Sequence, residues 1–193
     1  MNTNEIQERL KSFKAIILDG DGVWFTGDEY RGVLPTGEAV IMKSRHHHDG
    51  QGLTFLRAIG IKVLFATAEG EPMTSVVEKL NNLPSVKNGT FGTIDALTNL
   101  QRHGKGTKVE AVEEWLKLQG LTWGDCAYIG DDRTDWECMN LAGLTATPGN
   151  GQRFIKKIAH IILTKDGGKG AVREFAEMVL DARGIDETTL PAA

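Results

Sequence analysis

Residues 14–22 read KAIILDGDG, a short aliphatic run that ends in two aspartates separated by one glycine. Apolar runs of this length, rich in β-branched residues, predict a strand that is buried on both faces. Two later runs have the same form: IKVLFAT at 61–67 and CAYIGDD at 126–132. Each ends in hydroxyl or carboxylate side chains. The three runs therefore predict parallel strands whose carboxyl ends carry the polar residues.

Helical patterns separate these strands. They cover residues 3–11, 52–59, 73–82, 108–120 and 135–143. Strands that alternate with helices predict an α/β fold, a Rossmann-like parallel sheet with helices on both faces. A chain of 193 residues has the length of one domain, and we expect a single domain over residues 1–193.

Two stretches interrupt the alternation. Residues 23–43 hold two strand-like runs around a Pro-Thr-Gly turn and predict a projecting β-hairpin. Residues 84–107 are rich in glycine, asparagine and threonine and predict a long connection, with a helical fragment IDALTNL at 94–100. Either stretch is placed to cover a site at the sheet edge.

The charge and the cysteine content indicate which classes of partner the protein has and in which cellular compartment it lies. The chain has 22 basic and 26 acidic residues, a net charge of −4, and an isoelectric point near 5.8. We therefore expect no nucleic-acid or membrane partner. Cys126 and Cys138 lack CxxC neighbours and do not form a disulfide framework, which is typical of a reducing compartment. The first residues are polar, unlike a signal peptide, and we predict a cytoplasmic protein.

Oxygen-bearing side chains follow all three predicted strands. They are Asp19 and Asp21 after the first, Thr67 after the second, and Asp131 and Asp132 after the third. Several carboxylates at one sheet edge cost several kcal/mol per ion unless a cation accompanies them. A set of oxygen ligands favours a hard ion, so the sequence predicts a Mg²⁺ site.

The order of these motifs resembles the haloacid dehalogenase superfamily of phosphohydrolases. Its first motif is matched by LDGDGV at 18–23 and its second by FAT at 65–67. The third is matched by Lys108, and the fourth by IGDDRTD at 129–135. Lys108 opens a predicted helix, where a positive charge is unfavourable against the helix dipole, and this supports a functional role.

A narrower resemblance is to the capless branch that dephosphorylates 3-deoxy-octulosonate 8-phosphate and nonulosonate 9-phosphates. That branch has a hairpin after DGV, and the chain has GDDRTDWECM at 130–139 and GGKGAVREF at 167–175 in the expected places. The resemblance implies no large cap domain. It also implies a homotetramer in which neighbouring subunits cover each other's active sites. The implied substrate is a small phosphorylated metabolite.

The resemblance implies a two-step hydrolysis. Asp19, ionised at neutral pH, attacks phosphorus and forms an aspartyl phosphate, while Asp21 protonates the leaving alkoxide and later activates water. Asp19, the backbone carbonyl of Asp21 and Asp131 hold Mg²⁺.

Further residues are assigned to phosphate and substrate by the same resemblance. Thr67, Lys108 and the backbone at Gly20 hold the phosphoryl oxygens. Asp132 and Asp135 orient Lys108 or metal-bound water, and Asp135 is alternatively a helix N-cap.

The segment after Thr67 departs from the octulosonate enzymes. It reads TAEGEP, so that Glu69 stands where those enzymes have an arginine, as in the nonulosonate branch. The arginine expected in the next helix is absent, and Lys79 is the nearest cation there. The substrate-binding candidates are therefore Gly20, Glu69 and Lys79.

Other interpretations remain open from the sequence. A non-catalytic oligomerisation module of the same fold, a receiver domain and a phosphatase for another phosphometabolite are the alternatives. The complete set of motif residues argues against the module, and the DxD spacing with its hairpin argues against the receiver. The run at 46–48 is three histidines, for which we predict a loop or substrate-facing role rather than a metal site, because consecutive residues in an extended strand point to alternate sides. Asp49 is predicted to cap the following helix.

Overall fold

The structure is a computed structural model that describes residues 1–101 and 107–191. Its helices are α1 (Thr3–Ser12), α2 (His47–Ala58), α3 (Met73–Asn81), α4 (Pro84–Lys87), α5 (Lys108–Leu118), α6 (Trp136–Leu141) and α7 (Ala171–Arg183). Its strands are β1 (Ala15–Leu18), β2 (Glu29–Val33), β3 (Ala39–Lys43), β4 (Lys62–Ala66), β5 (Ile94–Leu97), β6 (Cys126–Ile129), β7 (Leu144–Thr147) and β8 (Ile161–Ile162).

Six strands form one parallel sheet in the order β5-β4-β1-β6-β7-β8. Leu18, the last residue of β1, lies opposite Phe65 of β4 and Ile129 of β6. The residues that follow these three strands therefore meet at one edge. The α/β, Rossmann-like prediction is confirmed.

Helices cover both faces of the sheet. Ile16 and Leu18 belong to a buried cluster with residues of α1, α2 and α7, whereas Ala15 and Ile17 belong to a second cluster with residues of α5 and α6. Successive strand residues point to opposite faces, so β1 is buried on both. No helix among the described residues is long and apolar enough to cross a bilayer.

The predicted hairpin is present, although its strands begin later than expected. β2 and β3 pair antiparallel around a turn between Val33 and Ala39. Residues 23–25 precede the hairpin and lie buried in the core. Across residues 1–101 and 107–191, the hairpin is the only strand pair outside the main sheet, and that part of the chain holds no large cap domain.

The predicted connection at 84–107 contains regular structure that the sequence pattern misses. The fragment IDALTNL is not helical: Ile94–Leu97 is β5, which pairs with β4. The side chain of Asn81 binds both the N–H and the carbonyl of Ile94 at 2.8 Å and fixes the start of this strand. Four residues are too few for periodicity to distinguish a strand from a helix. Residues 102–106 of the connection lie outside the described residues.

The histidine run does not form an extended segment. His46 is the N-cap of α2, and its Nδ1 accepts a hydrogen bond from the N–H of His48 in the first turn. The predicted cap, Asp49, is instead fully buried inside that turn. Its carboxylate accepts hydrogen bonds from the N–H groups of Gly170 and Arg173 at 3.1 and 3.0 Å. Asp49 therefore caps α7 and ties it to α2.

Asp49→Ala is expected to lower the free energy of unfolding by about 1–3 kcal/mol, because the partly buried N–H groups of Gly170 and Arg173 at the start of α7 lose their acceptor. Chemical denaturation monitored by circular dichroism measures the change. Asp181→Ala, at an exposed position in α7, is the control and should change the value by less than about 0.5 kcal/mol. Equal effects of the two substitutions would contradict this capping role.

Candidate active site

The carboxyl edge of the sheet brings together most of the predicted site residues. Asp19 directly follows β1 and Thr67 directly follows β4, and both are buried. Asp131 follows β6 after one glycine. Carboxylate oxygens of Asp19, Asp131 and Asp135 all lie within 4.8 Å of one another. Thr67 lies beside Gly20, because its Oγ1 is 2.9 Å from the position that a Cβ on Gly20 would occupy.

Lys108 reaches this edge from the start of α5. Thr107 caps the helix in a capping box with Glu110, which fixes the direction in which the helix begins. The Lys108 side chain is only 8% exposed, and its Nζ donates to Asp19 Oδ1 at 2.9 Å and to Asp135 Oδ1 at 2.8 Å. The ammonium is thus the shared counter-ion of two buried carboxylates.

Asp135 holds Lys108 in place. Its Oδ1 also accepts from the hydroxyl of Tyr128 at 2.8 Å, and its Oδ2 accepts from the N–H groups of Asp131 and Asp132 at 3.0 and 3.3 Å. The carboxylate is fully buried. Because four donors occupy its two oxygens, we regard Asp135 as a residue that orients Lys108 rather than as a metal ligand.

Asp132 has a local contact. Its Oδ1 accepts from both the N–H and the hydroxyl of Thr134 at 2.7 Å and caps the short 3₁₀ turn Arg133–Asp135.

Glycines allow the loops at this edge to approach closely. Gly22 has a φ of +77°, and a Cβ there would lie 2.1 Å from Asp131 Oδ2. Gly167, in the GGKG segment, comes so close to Gly22 that its Cβ would lie 1.7 Å from the Gly22 carbonyl oxygen. Gly168 donates its N–H to the Val23 carbonyl at 2.8 Å. The GGKG segment therefore braces the loop that follows Asp19.

Sequence reasoning missed one cation beside the site. Lys43, the last residue of β3, donates from Nζ to Asp21 Oδ2 at 2.6 Å and lies 3.7 Å from Glu69 Oε2. A signal was available, because a hairpin returns its last residue close to the loop from which it began. Lys79, the predicted cation, lies exposed in the last turn of α3, and its role stays a prediction.

The crowded carboxylates change the expected ionisation. Burial and the charge of Asp135 raise the pKa of Asp19 to about 7, despite the opposing effect of Lys108. Burial and the neighbouring carboxylates raise the pKa of Asp131 to about 8. Without a bound cation, Asp19 is therefore only partly ionised at neutral pH. Burial disfavours the charged form of Lys108, but Asp135 and Asp19 outweigh it and raise its pKa above the usual value.

These observations fit a divalent cation. Asp19 and Asp131 are close together and supply oxygen ligands, the type that Mg²⁺ prefers. A cation between them would favour the ionised form of each carboxylate and reverse the rise in their pKa values.

Mg²⁺ binding is expected to weaken by about tenfold or more between about pH 8 and pH 6, because the ion must displace protons from Asp19 and Asp131. Isothermal titration calorimetry at the two pH values measures the dissociation constant. Asp181→Asn, at an exposed position in α7, leaves both carboxylates in place and should show the same pH dependence. An affinity that does not change with pH would contradict this interpretation.

Neither cysteine supplies a thiolate. Burial raises the pKa of the Cys126 and Cys138 thiols to about 12, so that neither ionises at neutral pH.

The four motifs that resemble those of a phosphohydrolase superfamily therefore meet at one edge of a parallel α/β sheet. The profile of the haloacid dehalogenase-like hydrolases matches residues 61–175, more than half of the chain. The chain belongs to this family. It is a phosphomonoester hydrolase.

Characterised relatives cover almost the whole chain. The 3-deoxy-D-manno-octulosonate 8-phosphate phosphatase of Haemophilus influenzae is 29% identical over 179 residues, which are 93% of this chain and 89% of the relative. The enzyme of that name from Escherichia coli K12 is 27% identical over 184 residues, 95% and 88% of the two chains. Among solved structures, the enzyme of that name from Moraxella catarrhalis was determined in complex with a magnesium ion, a phosphate ion and a KDO molecule. It matches this chain with a TM-score of 0.78 and 28% identity, and the match covers 95% of this chain and 94% of the Moraxella chain.

Proposed function

We propose that this protein is a Mg²⁺-dependent phosphatase that hydrolyses a phosphorylated sugar acid through an aspartyl-phosphate intermediate. The observation that carries the proposal is the buried contact of Lys108 with Asp19. This contact supports the proposal, because a cation beside the candidate nucleophile would neutralise charge on a bound phosphate. The octulosonate 8-phosphate phosphatases among the relatives supply the substrate class.

In this mechanism, Lys108 fixes Asp19 Oδ1, and Oδ2 attacks phosphorus. The ester P–O bond breaks, and the leaving oxygen takes a proton from Asp21. Water then attacks the phosphorus of the aspartyl phosphate and gives a proton back to Asp21. Inorganic phosphate leaves and the Asp19 carboxylate is restored. Thr67 and the backbone at Gly20 hold the phosphoryl oxygens during both steps.

Asp19, Asp131 and the backbone carbonyl of Asp21 would hold Mg²⁺, which supplies charge neutralisation between the anionic nucleophile and the anionic phosphate.

We propose that the substrate's carbon skeleton occupies a cavity that meets the phosphate-binding candidates at Lys108. This cavity has a volume of about 570 Å³ and is lined in part by Trp136 and Phe154. This volume is typical of small-molecule sites. Glu69 favours a nonulosonate 9-phosphate, whereas the relatives favour octulosonate 8-phosphate, and we propose both as candidate substrates.

We also infer a homotetramer of single-domain subunits, located in the cytoplasm. The hairpin supports the assembly, because its strands leave Tyr30, Val33 and Met42 more than half exposed. Apolar strand residues of this kind are typical of surfaces that pair with another chain.

Phosphate release from a substrate panel tests the function. The panel holds octulosonate 8-phosphate, a nonulosonate 9-phosphate, common sugar phosphates and an aryl phosphate, each with and without Mg²⁺. We expect Mg²⁺-dependent release, with the highest kcat/KM on one of the two sugar-acid phosphates. A preference for a common sugar phosphate would overturn the substrate class, and no release from any ester would overturn the function.

A further inference from the structure

The contact between Lys43 and Asp21 joins the hairpin to the candidate acid. Nζ of Lys43 donates to Asp21 Oδ2 at 2.6 Å across 22 residues of sequence. The Lys43 side chain is 4% exposed, although β3 as a whole is mostly exposed. The ammonium also lies 5.9 Å from the centre of the Phe25 ring. A lysine at the end of an exposed strand is thus turned inward and enclosed.

The two oxygens of Asp21 have different surroundings. Oδ2 accepts from Lys43, whereas Oδ1 is buried and has no hydrogen-bond partner within the described part of the chain. A buried carboxylate oxygen without a partner is costly unless a ligand or a proton satisfies it. Because Lys43 donates to Oδ2, Oδ1 is the oxygen of Asp21 that lacks a partner among the described residues.

A second carboxylate, that of Glu69, also lies near the Lys43 ammonium. Glu69 Oε2 lies 3.7 Å from Nζ, so the ammonium stands between two carboxylates. In this position it neutralises part of the negative charge beside the phosphate site. It also restricts rotation of the Asp21 carboxyl group, because rotation would break the hydrogen bond from the buried Lys43 ammonium.

We propose that Lys43 is a positioning residue for Asp21: it holds Oδ2 and directs Oδ1 to the leaving-group oxygen of the substrate. Asp21 enters this step protonated on Oδ1 and hydrogen-bonded to Lys43 through Oδ2. The Oδ1–H bond breaks as the ester oxygen leaves phosphorus and takes the proton. The hairpin thereby supplies part of the geometry of proton delivery. This inference rests on the proposed phosphatase mechanism.

A comparison of two leaving groups tests the inference. An alkoxide needs a proton to leave, whereas 4-nitrophenolate leaves without one. Single-turnover reactions with enzyme in excess measure only the first step, in which the leaving group departs. With octulosonate 8-phosphate the measured product is octulosonate, and with 4-nitrophenyl phosphate it is 4-nitrophenolate. For Lys43→Met, we expect the rate with octulosonate 8-phosphate to fall by about 100-fold and the rate with 4-nitrophenyl phosphate by less than about threefold. If octulosonate 8-phosphate is not turned over, the preferred sugar-acid phosphate replaces it.

Lys62→Met is the matched control, because it makes the same charge change at an exposed residue at the amino end of β4. It should leave the ratio of the two rates unchanged. If circular dichroism shows that Lys43→Met is unfolded, Lys43→Gln carries the same test. An equal loss with both esters in a folded variant, or no loss with either, would overturn the role of Lys43. A wild-type protein that hydrolyses neither ester would instead overturn the proposed function, and the role of Lys43 with it.

Discussion

Asp19→Asn is expected to lower phosphate release by on the order of 10⁴-fold or more, because an amide oxygen does not form the acyl phosphate. The fold should be retained. Asparagine has the same shape, and its oxygen can still accept the hydrogen bond that Lys108 donates to Oδ1. The measurement is phosphate release by the purified variant at saturating Mg²⁺ and substrate, next to the wild type.

The same variant has a second expected effect, on stability. The pKa of Asp19 is raised to about 7, above the ordinary value of 3.8 that holds in the unfolded chain. The folded state therefore binds this proton more tightly, and the contribution of Asp19 to stability falls as pH rises from about 4 to about 7. In the absence of metal, the free energy of unfolding of Asp19→Asn should therefore fall less between about pH 4 and about pH 7 than that of the wild type.

For the first effect, turnover by Asp19→Asn near that of the wild type would contradict the assignment of Asp19 as the nucleophile.

Lys108→Met is expected to lower the free energy of unfolding by about 3–5 kcal/mol at neutral pH in the metal-free protein. The substitution leaves Asp19 and Asp135 buried and close together without their shared cation. Phosphate release should fall by on the order of 10²–10³-fold, because a charge beside the phosphoryl group is lost. Denaturant unfolding and steady-state kinetics measure the two effects.

Two further variants examine the cause of this loss. Lys117→Met makes the same change at an exposed position in the last turn of the same helix, and it should have little effect on either quantity. Adding Asp135→Asn to Lys108→Met should recover part of the lost stability, because it removes one of the two repelling carboxylates. A double variant less stable than Lys108→Met alone would show that charge repulsion is not the cause.

Much of the site was predictable because parallel strands impose their own geometry. Strand patterns at β1, β4 and β6 place the residues after them at one edge, and this accounts for Asp19, Thr67 and Asp131 without further information. Lys108 followed from its position at a helix start in the motif order. The same patterns do not identify β5, β7 and β8. β5 (IDAL) and β7 (LTAT) contain polar residues and β8 has only two residues, so none of them forms a clear apolar run.

By itself, the sequence determined the α/β class, the projecting hairpin and the acidic edge, because burial patterns and strand ends are local properties. Only the tertiary structure decided that Asp49 caps α7, that Lys43 faces Asp21, and that Asp19 has a pKa near 7. Each of these depends on charges or donors that lie far apart in the chain and are brought together by packing. The strength of an ion pair and the ionisation of a carboxylate follow from burial and distance, which a sequence pattern does not contain.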